Sequence, residues 1–547
     1  MNNCDNNEHW GSRLGVVLAV SGSAVGLGNF LRFPAQAATS GGGAFMIPYL
    51  VALFIVAIPV ACAEWALGRY GGTRGRHSPM GIYYEASGRN RFCGVCGGMV
   101  CFTAFVIDMY YLFVEAWCLL YALQYLGGLL KPLGLGFSLF PRLDAGFLLQ
   151  DADAYRNAFD SAIGLNGNGS LFNARNCPVI FILLFCCLCN FWLIYRGVSK
   201  GIERFCKLAA PLILICSLII LVRVFTLENP TGRPGQSLLD GLGFMWNPQN
   251  LREVLRDPDV WLKATSQIFF STSICTSAVI TYASYVRPKQ DVALSSLTSV
   301  MANEFCEVCL GGLMIVPPAI MYLGAAAEDK IGSIFSLGFV VLPNVFGEMP
   351  AGQFFGFTFF TLLFFSAITS SISQLQPSVT FLSESFGWAR RRCVWVSAAV
   401  IICGAFFVGW FTENLTALDT FDFWSANFSP FLCALVQTSV VVFIMGRRKL
   451  SSEIDRGAVV KTSKFITPLL TFVSLPYLAL VFGFWLCQNF KGRVDSLIEN
   501  RVAQLSSIFL IVVAGVLLTI SCFVVARWKR EEKRNANDAT IVSSESK

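Results

Sequence analysis

Two short stretches buried in apolar sequence carry the residue types that bind small charged solutes. The first reads Ser21-Gly-Ser-Ala-Val-Gly-Leu-Gly-Asn-Phe30, with three glycines and an asparagine inside a long apolar run. The second reads Ser271-Thr-Ser-Ile-Cys-Thr-Ser277, again in the middle of an apolar run. Glycine weakens a helix, and hydroxyl side chains compete for its backbone groups, so both stretches predict interrupted helices. Gly22 and Gly26 alone also fit a G-x-x-x-G packing face. A second interruption favours a site instead, because half-helix N-termini present N–H groups to anions and freed carbonyls attract cations.

Ionisable residues inside apolar runs point the same way, since their burial is costly. They include Arg32, Asp108, Glu307 and Asp422, together with Glu64, Glu115 and Glu304, which read as buried hydrogen-bonded structure. Asp108 and Tyr111 lie three residues apart, so on a helix they share a face and can approach one pocket. A buried carboxylate there needs a proton, a bond to a neighbouring helix, or a polar or cationic ligand. No paired His and Glu at metal-ligand spacing, no G-x-S-x-G elbow and no P-loop occur, which argues against an enzyme. Cys93 and Cys96 have metal-like spacing, but there is no second such pair and only two histidines, His9 and His77.

The elements that must hold these groups are membrane helices. Of 547 residues, 55% are hydrophobic and 14% charged, and the mean hydropathy is +0.60. That is too apolar for one soluble core. Each bilayer crossing takes about 20 apolar residues, and such runs predict spans at about 12–39, 42–69, 92–126, 178–195, 205–226, 259–285, 292–323, 354–386, 393–411, 418–446, 465–489 and 502–526. Loops after even-numbered spans hold 20 basic residues, whereas the longer loops after odd-numbered spans hold 11. By the positive-inside rule both termini are cytoplasmic, and the net charge of +7 answers to anionic lipid without any nucleic-acid partner. The long outer loops, about 127–177 and 227–258, are expected to cap the outer face. The interruptions fall in spans 1 and 6, the parity of an inverted repeat.

With these segments laid out, the sequence closely resembles the neurotransmitter:sodium symporter family, and within it the bacterial leucine-transporter branch, from about Glu8 to Arg530. The motifs that carry the resemblance are Ala24-Val-Gly-Leu-Gly-Asn-Phe-Leu-Arg-Phe-Pro34, Gly41-Gly-Gly-Ala-Phe-Met-Ile-Pro-Tyr49, Ile280-Thr-Tyr-Ala-Ser-Tyr-Val286, Thr369-Ser-Ser371 with Gln376-Pro377, and Asp422-Phe-Trp424. It implies an all-α polytopic protein of twelve transmembrane helices with the five-plus-five leucine-transporter fold. Residues 1–530 would form one domain, with helices 1–5 over about 12–226, helices 6–10 over about 259–446 and helices 11–12 over about 465–526. Residues 531–547 would be a cytoplasmic tail. The activity implied is sodium symport of an amino acid across a cell membrane, of the bacterial inner-membrane kind. A homodimer is left open.

The resemblance also implies ligand sets. The first sodium would take the carbonyl of Ala24, the side chains of Asn29 and Asn303, Ser271, and the substrate carboxylate. The second would take the carbonyls of Gly22, Val25 and Ser366 with the hydroxyls of Thr369 and Ser370. For each hydroxyl the alternative is a bond to a carbonyl one turn earlier. The substrate carboxylate would meet the N–H groups of Leu27 and Gly28 and the Tyr111 hydroxyl, and its ammonium the carbonyls of Ala24, Phe270 and Ser271 and the Ser273 hydroxyl. Monoamine carriers of the family place an aspartate where Gly26 stands, so glycine argues for a free amino acid.

Arg32 and Asp422 match the outer gate, beside Tyr111 and Phe270. Glu307 stands where chloride-dependent relatives have serine, which implies chloride independence, with Tyr49, Gln267, Ser271 and Asn303 around the carboxylate. The sequence departs from the family at two places. Ile107, Asp108, Thr276 and Gln374, with Ser370 nearby, make a side-chain pocket more polar than a leucine site. The inner gate's usual arginine and acid are matched by Asn7 and Glu384, a pair that is not ionic, leaving His9, Trp10, Ser284 and Tyr285 to close it. A proton-coupled carrier of the same fold, with Asp108 titrating, is the nearest rival, followed by a receptor or channel.

Overall fold

The computed structural model describes residues 10, 13–140, 152–173, 176–228, 236–323 and 334–545. Ten helices in it are long and apolar enough to cross a membrane: Met46–Gly72, Arg91–Leu133, Cys177–Tyr195, Val198–Phe225, Val292–Tyr322, Gly352–Phe386, Arg390–Trp410, Glu413–Asp455, Ser463–Gln488 and Arg501–Asp538. They are spans 2–5 and 7–12 in order. Span 1 is split into Arg13–Ala24 and residues 28–39. Span 6 is split into Pro258–Ser271 and Ala278–Ser284. Twelve crossings result, and the two broken ones are those whose sequences carry the glycines and hydroxyls.

Local sequence explains where elements start and stop. Asp257 caps the first half of span 6 through the Asp259 N–H at 2.9 Å, with Pro258 at the first helical position. Gly387, at φ +68°, ends span 8 in the left-handed conformation that glycine adopts at least cost. Spans 3 and 8, the two long buried helices Arg91–Leu133 and Gly352–Phe386, pack along each other. Both broken spans meet this pair, which places the breaks at the protein's centre.

Two features add to what the sequence predicts. The outer loops hold helices of their own, Ala152–Ile163 and Leu238–Trp246. The stretch beyond residue 530, expected as a cytoplasmic tail, is helical and continuous with the last span as far as Glu545. Its Lys, Arg, Glu and Ala residues are strong helix formers, and Arg527 pairs with Glu531 one turn on at 3.7 Å.

Candidate functional site

At the first break, Val25 and Gly26 leave the helix between Ala24 and the next turn. The Gly26 N–H donates to Asn29 Oδ1 at 2.8 Å, so the asparagine side chain reaches back from the new half-helix to satisfy the broken backbone. A wide turn follows, in which the Phe33 N–H bonds five residues back to Gly28 O, while Gln267 Nε2 donates to the same carbonyl at 3.0 Å.

At the second break, Ser273, Cys275 and Ser277 have φ of +55°, +60° and +72°. Such conformations are strained for side-chain-bearing residues and cluster at functional sites. Glu64 of span 2 stabilises the unwound chain by accepting the Cys275 N–H at 2.9 Å.

Between the breaks lies a narrow pocket lined by Ser23, Ala24, Gly26, Gly28, Ile107, Tyr111, Phe270, Ser271, Ser273, Ser370 and Gln374. Three residues expected around the substrate do not line it. Leu27 turns its N–H to the Tyr111 hydroxyl at 3.4 Å. Thr276 stands behind Gln374, whose Nε2 donates to its hydroxyl at 3.1 Å. Asp108 is fully buried beside the lining residue Ile107.

Ser23 was not singled out from sequence, yet its carbonyl accepts from Ser370 at 3.0 Å and from Ser273 at 3.4 Å, tying spans 1, 6 and 8 together. Nothing local distinguishes it from Ser21. Gly26 has little room for a side chain: a Cβ there would press on the Ser370 hydroxyl and come within 3.3 Å of Ser370 Cβ.

Next to the pocket, spans 1, 6 and 7 bring amide and carboxylate groups together. Asn29 Nδ2 donates to Asn303 Oδ1 at 2.7 Å, and Asn303 Nδ2 donates to Ser271 Oγ at 3.1 Å. Glu307 accepts from Gln267 at 2.7 Å, from Asn303 at 3.1 Å and from Asn29 at 3.4 Å. The Tyr49 hydroxyl gives its bond to the neighbouring Glu304, at 2.6 Å.

On the other flank, Gly22 lies against Thr369. Thr369 bonds back to the carbonyls of Phe365 and Ser366 at 2.9 and 3.0 Å, while the buried Ser366 hydroxyl has no partner among the described residues.

On one side of the pocket Arg32 stacks over Phe270, 4.3 Å from the ring centre, and lies 3.8 Å from Asp422. Asn427 completes the contact, accepting from Arg32 at 2.5 Å and donating to Asp422 at 3.1 Å, and Tyr110 donates to Asp422 at 2.8 Å. On the other side Trp10 Nε1 donates to the Tyr282 carbonyl at 3.0 Å, edge-on to its ring.

Glu384, which the family pattern sets opposite Asn7, has an ionic partner elsewhere. Arg76, from the connection after span 2, approaches it at 3.2 Å, and the N–H of Ser78 donates to it at 2.9 Å. His77 stacks on Tyr285 with ring centres 4.5 Å apart and shares a hydrogen bond with Ser284 at 2.9 Å. Asn7 and His9 lie outside the described residues.

The sequence model of the sodium:neurotransmitter symporter family matches residues 7–131 and 174–531. An uncharacterized sodium-dependent transporter of Methanocaldococcus jannaschii is 28% identical over 461 residues, which cover 83% of this chain and 85% of its own. The sodium-dependent neutral amino acid transporter B(0)AT3 of Mus musculus is 26% identical over 524 residues, covering 82% of this chain and 80% of its own. Among solved structures, MhsT in complex with L-phenylalanine matches with a TM-score of 0.72 at 26% identity, over 87% of this chain and 99% of that one. With this match running through both broken spans, the chain belongs to the sodium:neurotransmitter symporter family, and it is a sodium-dependent multi-pass membrane transporter rather than an enzyme.

Proposed function

We propose that the protein imports a free amino acid together with sodium by alternating access. The observation that carries this reading is the meeting of opposite helix ends at one pocket. Ala24 and Ser271 each end a half-helix, where terminal carbonyls lack intrahelical partners, whereas Leu27 and Gly28 begin one, where N–H groups lack them and that of Leu27 donates instead to the Tyr111 hydroxyl at 3.4 Å. The helix dipoles favour positive charge at the first pair and negative charge at the second. An amino acid zwitterion has that charge order. Its carboxylate would take the N–H groups of Leu27 and Gly28 and the Tyr111 hydroxyl. Its ammonium would take the carbonyls of Ala24, Phe270 and Ser271 and the Ser273 hydroxyl. An amine lacking a carboxylate would need a substitute where Gly26 stands, and the crowding there speaks against one.

Sodium, as the co-transported ion, suits oxygen-rich sets. Asn29, Asn303, Ser271 and the Ala24 carbonyl would form the first, sharing the substrate carboxylate. The two amides pair with each other, and turning either about its terminal bond offers its oxygen instead. The second would be Gly22, Val25, Ser366, Thr369 and Ser370, where the unpartnered Ser366 hydroxyl is buried and Thr369 must give up a bond to a carbonyl one turn earlier. A shared ligand shell couples substrate and sodium reciprocally, typically by ~1–3 kcal/mol.

Glu307, held by three amide side chains, would supply the negative charge that chloride supplies elsewhere, making transport chloride-independent. Arg32 with Asp422, Tyr111 and Phe270 would gate the outer side. Trp10, Ser284, Tyr285 and Glu384 would gate the inner side, with both termini cytoplasmic.

Uptake of each of the twenty amino acids into proteoliposomes, with sodium or with choline outside at fixed pH, tests this. At least one should enter only with sodium. Uptake that persists in choline and follows acidification would favour proton coupling and refute the reading.

A further inference from the structure

Among the carboxylates buried within the spans, Asp108 differs from the rest. Glu115 accepts from Asn190 and Ser371, Glu304 from Tyr49, Glu307 from three amides, and Glu64 from a backbone N–H. Asp108 is 0% exposed, yet neither of its oxygens has a partner among the described residues. A buried carboxylate without a donor is costly, so it marks a place where a partner is meant to arrive.

Its position says from where. At 3.6 residues per turn, Asp108 lies about 60° round the helix from the pocket-lining Tyr111. It lies on the side that carries Glu115, which bonds to Ser371 of span 8. Gln374 stands one turn further along span 8 and lines the pocket. Its Nε2 is used on Thr276, while its Oε1 is buried and unpartnered. Behind the lining residue Ile107 the unmet groups among the described residues are mostly acceptors: the two Asp108 oxygens and the Gln374 amide oxygen, against one unpartnered donor, the Tyr282 hydroxyl, that feels the Asp108 charge. An apolar side chain would leave at least two of these acceptors unpaired. A side chain ending in donors and a positive charge would satisfy them.

We propose that the cargo is a basic amino acid, of the lysine or arginine class, whose cationic end is received by Asp108 with the Gln374 oxygen beside it. This rests on reading the central pocket as an amino-acid site. The long aliphatic stem of such a side chain would run along Ile107, keeping its apolar part on apolar lining and its charged tip at the acceptors. A site built around acceptors rejects analogues that lack the matching donor far more strongly than an apolar pocket rejects a change of size.

The test is competition in proteoliposomes at saturating sodium, with L-lysine, L-arginine, L-ornithine, L-glutamine, L-leucine and L-phenylalanine as probes, for the natural protein and for Asp108→Asn. The basic probes should outcompete leucine by at least about 10-fold, and Asp108→Asn should lower that preference ratio by about 10-fold or more. Leucine or phenylalanine winning in the natural protein would overturn the proposal, as would a ratio unmoved by Asp108→Asn. If the variant fails to fold, the panel on the natural protein decides alone. Sodium-dependent uptake of apolar amino acids only would overturn the basic cargo and keep amino-acid import. Uptake of none of the twenty would overturn both.

Discussion

At the scale of single residues, the proposed transport depends on Gly26, Asn29, Asn303 and Glu307. Replacing Gly26 by Asp would force a side chain against Ser370 and put a fixed negative charge where the substrate carboxylate belongs. Uptake of every amino acid should fall by roughly 100-fold, the scale expected for displacing a charge-assisted contact worth about 2–3 kcal/mol. Removing either amide, by Asn29→Ala or Asn303→Ala, should raise the sodium concentration needed for half-maximal uptake by about 10-fold or more, read from sodium titrations at constant ionic strength. Replacing chloride by gluconate should leave the natural protein unaffected. Glu307→Ser, which removes the carboxylate that Gln267, Asn303 and Asn29 surround, should make uptake fall in gluconate and recover in chloride. The glycine and asparagine were legible in the sequence because they stand out in an apolar run. Ser23 was not, because its part is played by a backbone carbonyl that every residue has.

At the scale of elements, the breaks were legible and their supports were not. Gly and Ser/Thr interrupt two apolar runs, and local propensity suffices to find them. The Glu64 bond to the unwound Cys275 N–H joins residues 211 positions apart, which no local pattern announces. Glu64→Ala should therefore lower thermal stability by about 2–3 kcal/mol by leaving a buried donor unpaired, whereas Glu64→Gln, which keeps an accepting oxygen, should cost less.

The same limit explains the inner gate. The family pattern directs attention to Asn7 and Glu384, but the cation that meets Glu384 is Arg76, 308 positions away. If this pair latches the inner side, Glu384→Arg should increase labelling of a cysteine introduced at Ser284 from that side. Adding Arg76→Glu should restore protection. Unchanged labelling in the single variant would mean that the pair only fixes the connection after span 2 to span 8.

At the scale of the whole molecule, the number and order of spans followed from apolar run length and from the asymmetry of basic residues, because the bilayer leaves the backbone few alternatives to helix. The helix continuing past residue 530 did not follow, since a charged stretch reads equally as tail or helix until its pairs are seen. On the proposed reading, Arg32 with Asn427 would close the central pocket on one side, and Trp10 with the Arg76–Glu384 pair on the other. Import then requires the two layers to open in turn, with sodium and cargo biasing states the protein already samples. The most direct test is accumulation: proteoliposomes with an inward sodium gradient should concentrate a labelled amino acid severalfold above the outside level. A sodium ionophore should collapse that excess. Uptake that only equilibrates, or accumulation indifferent to the ionophore, would contradict sodium-coupled import.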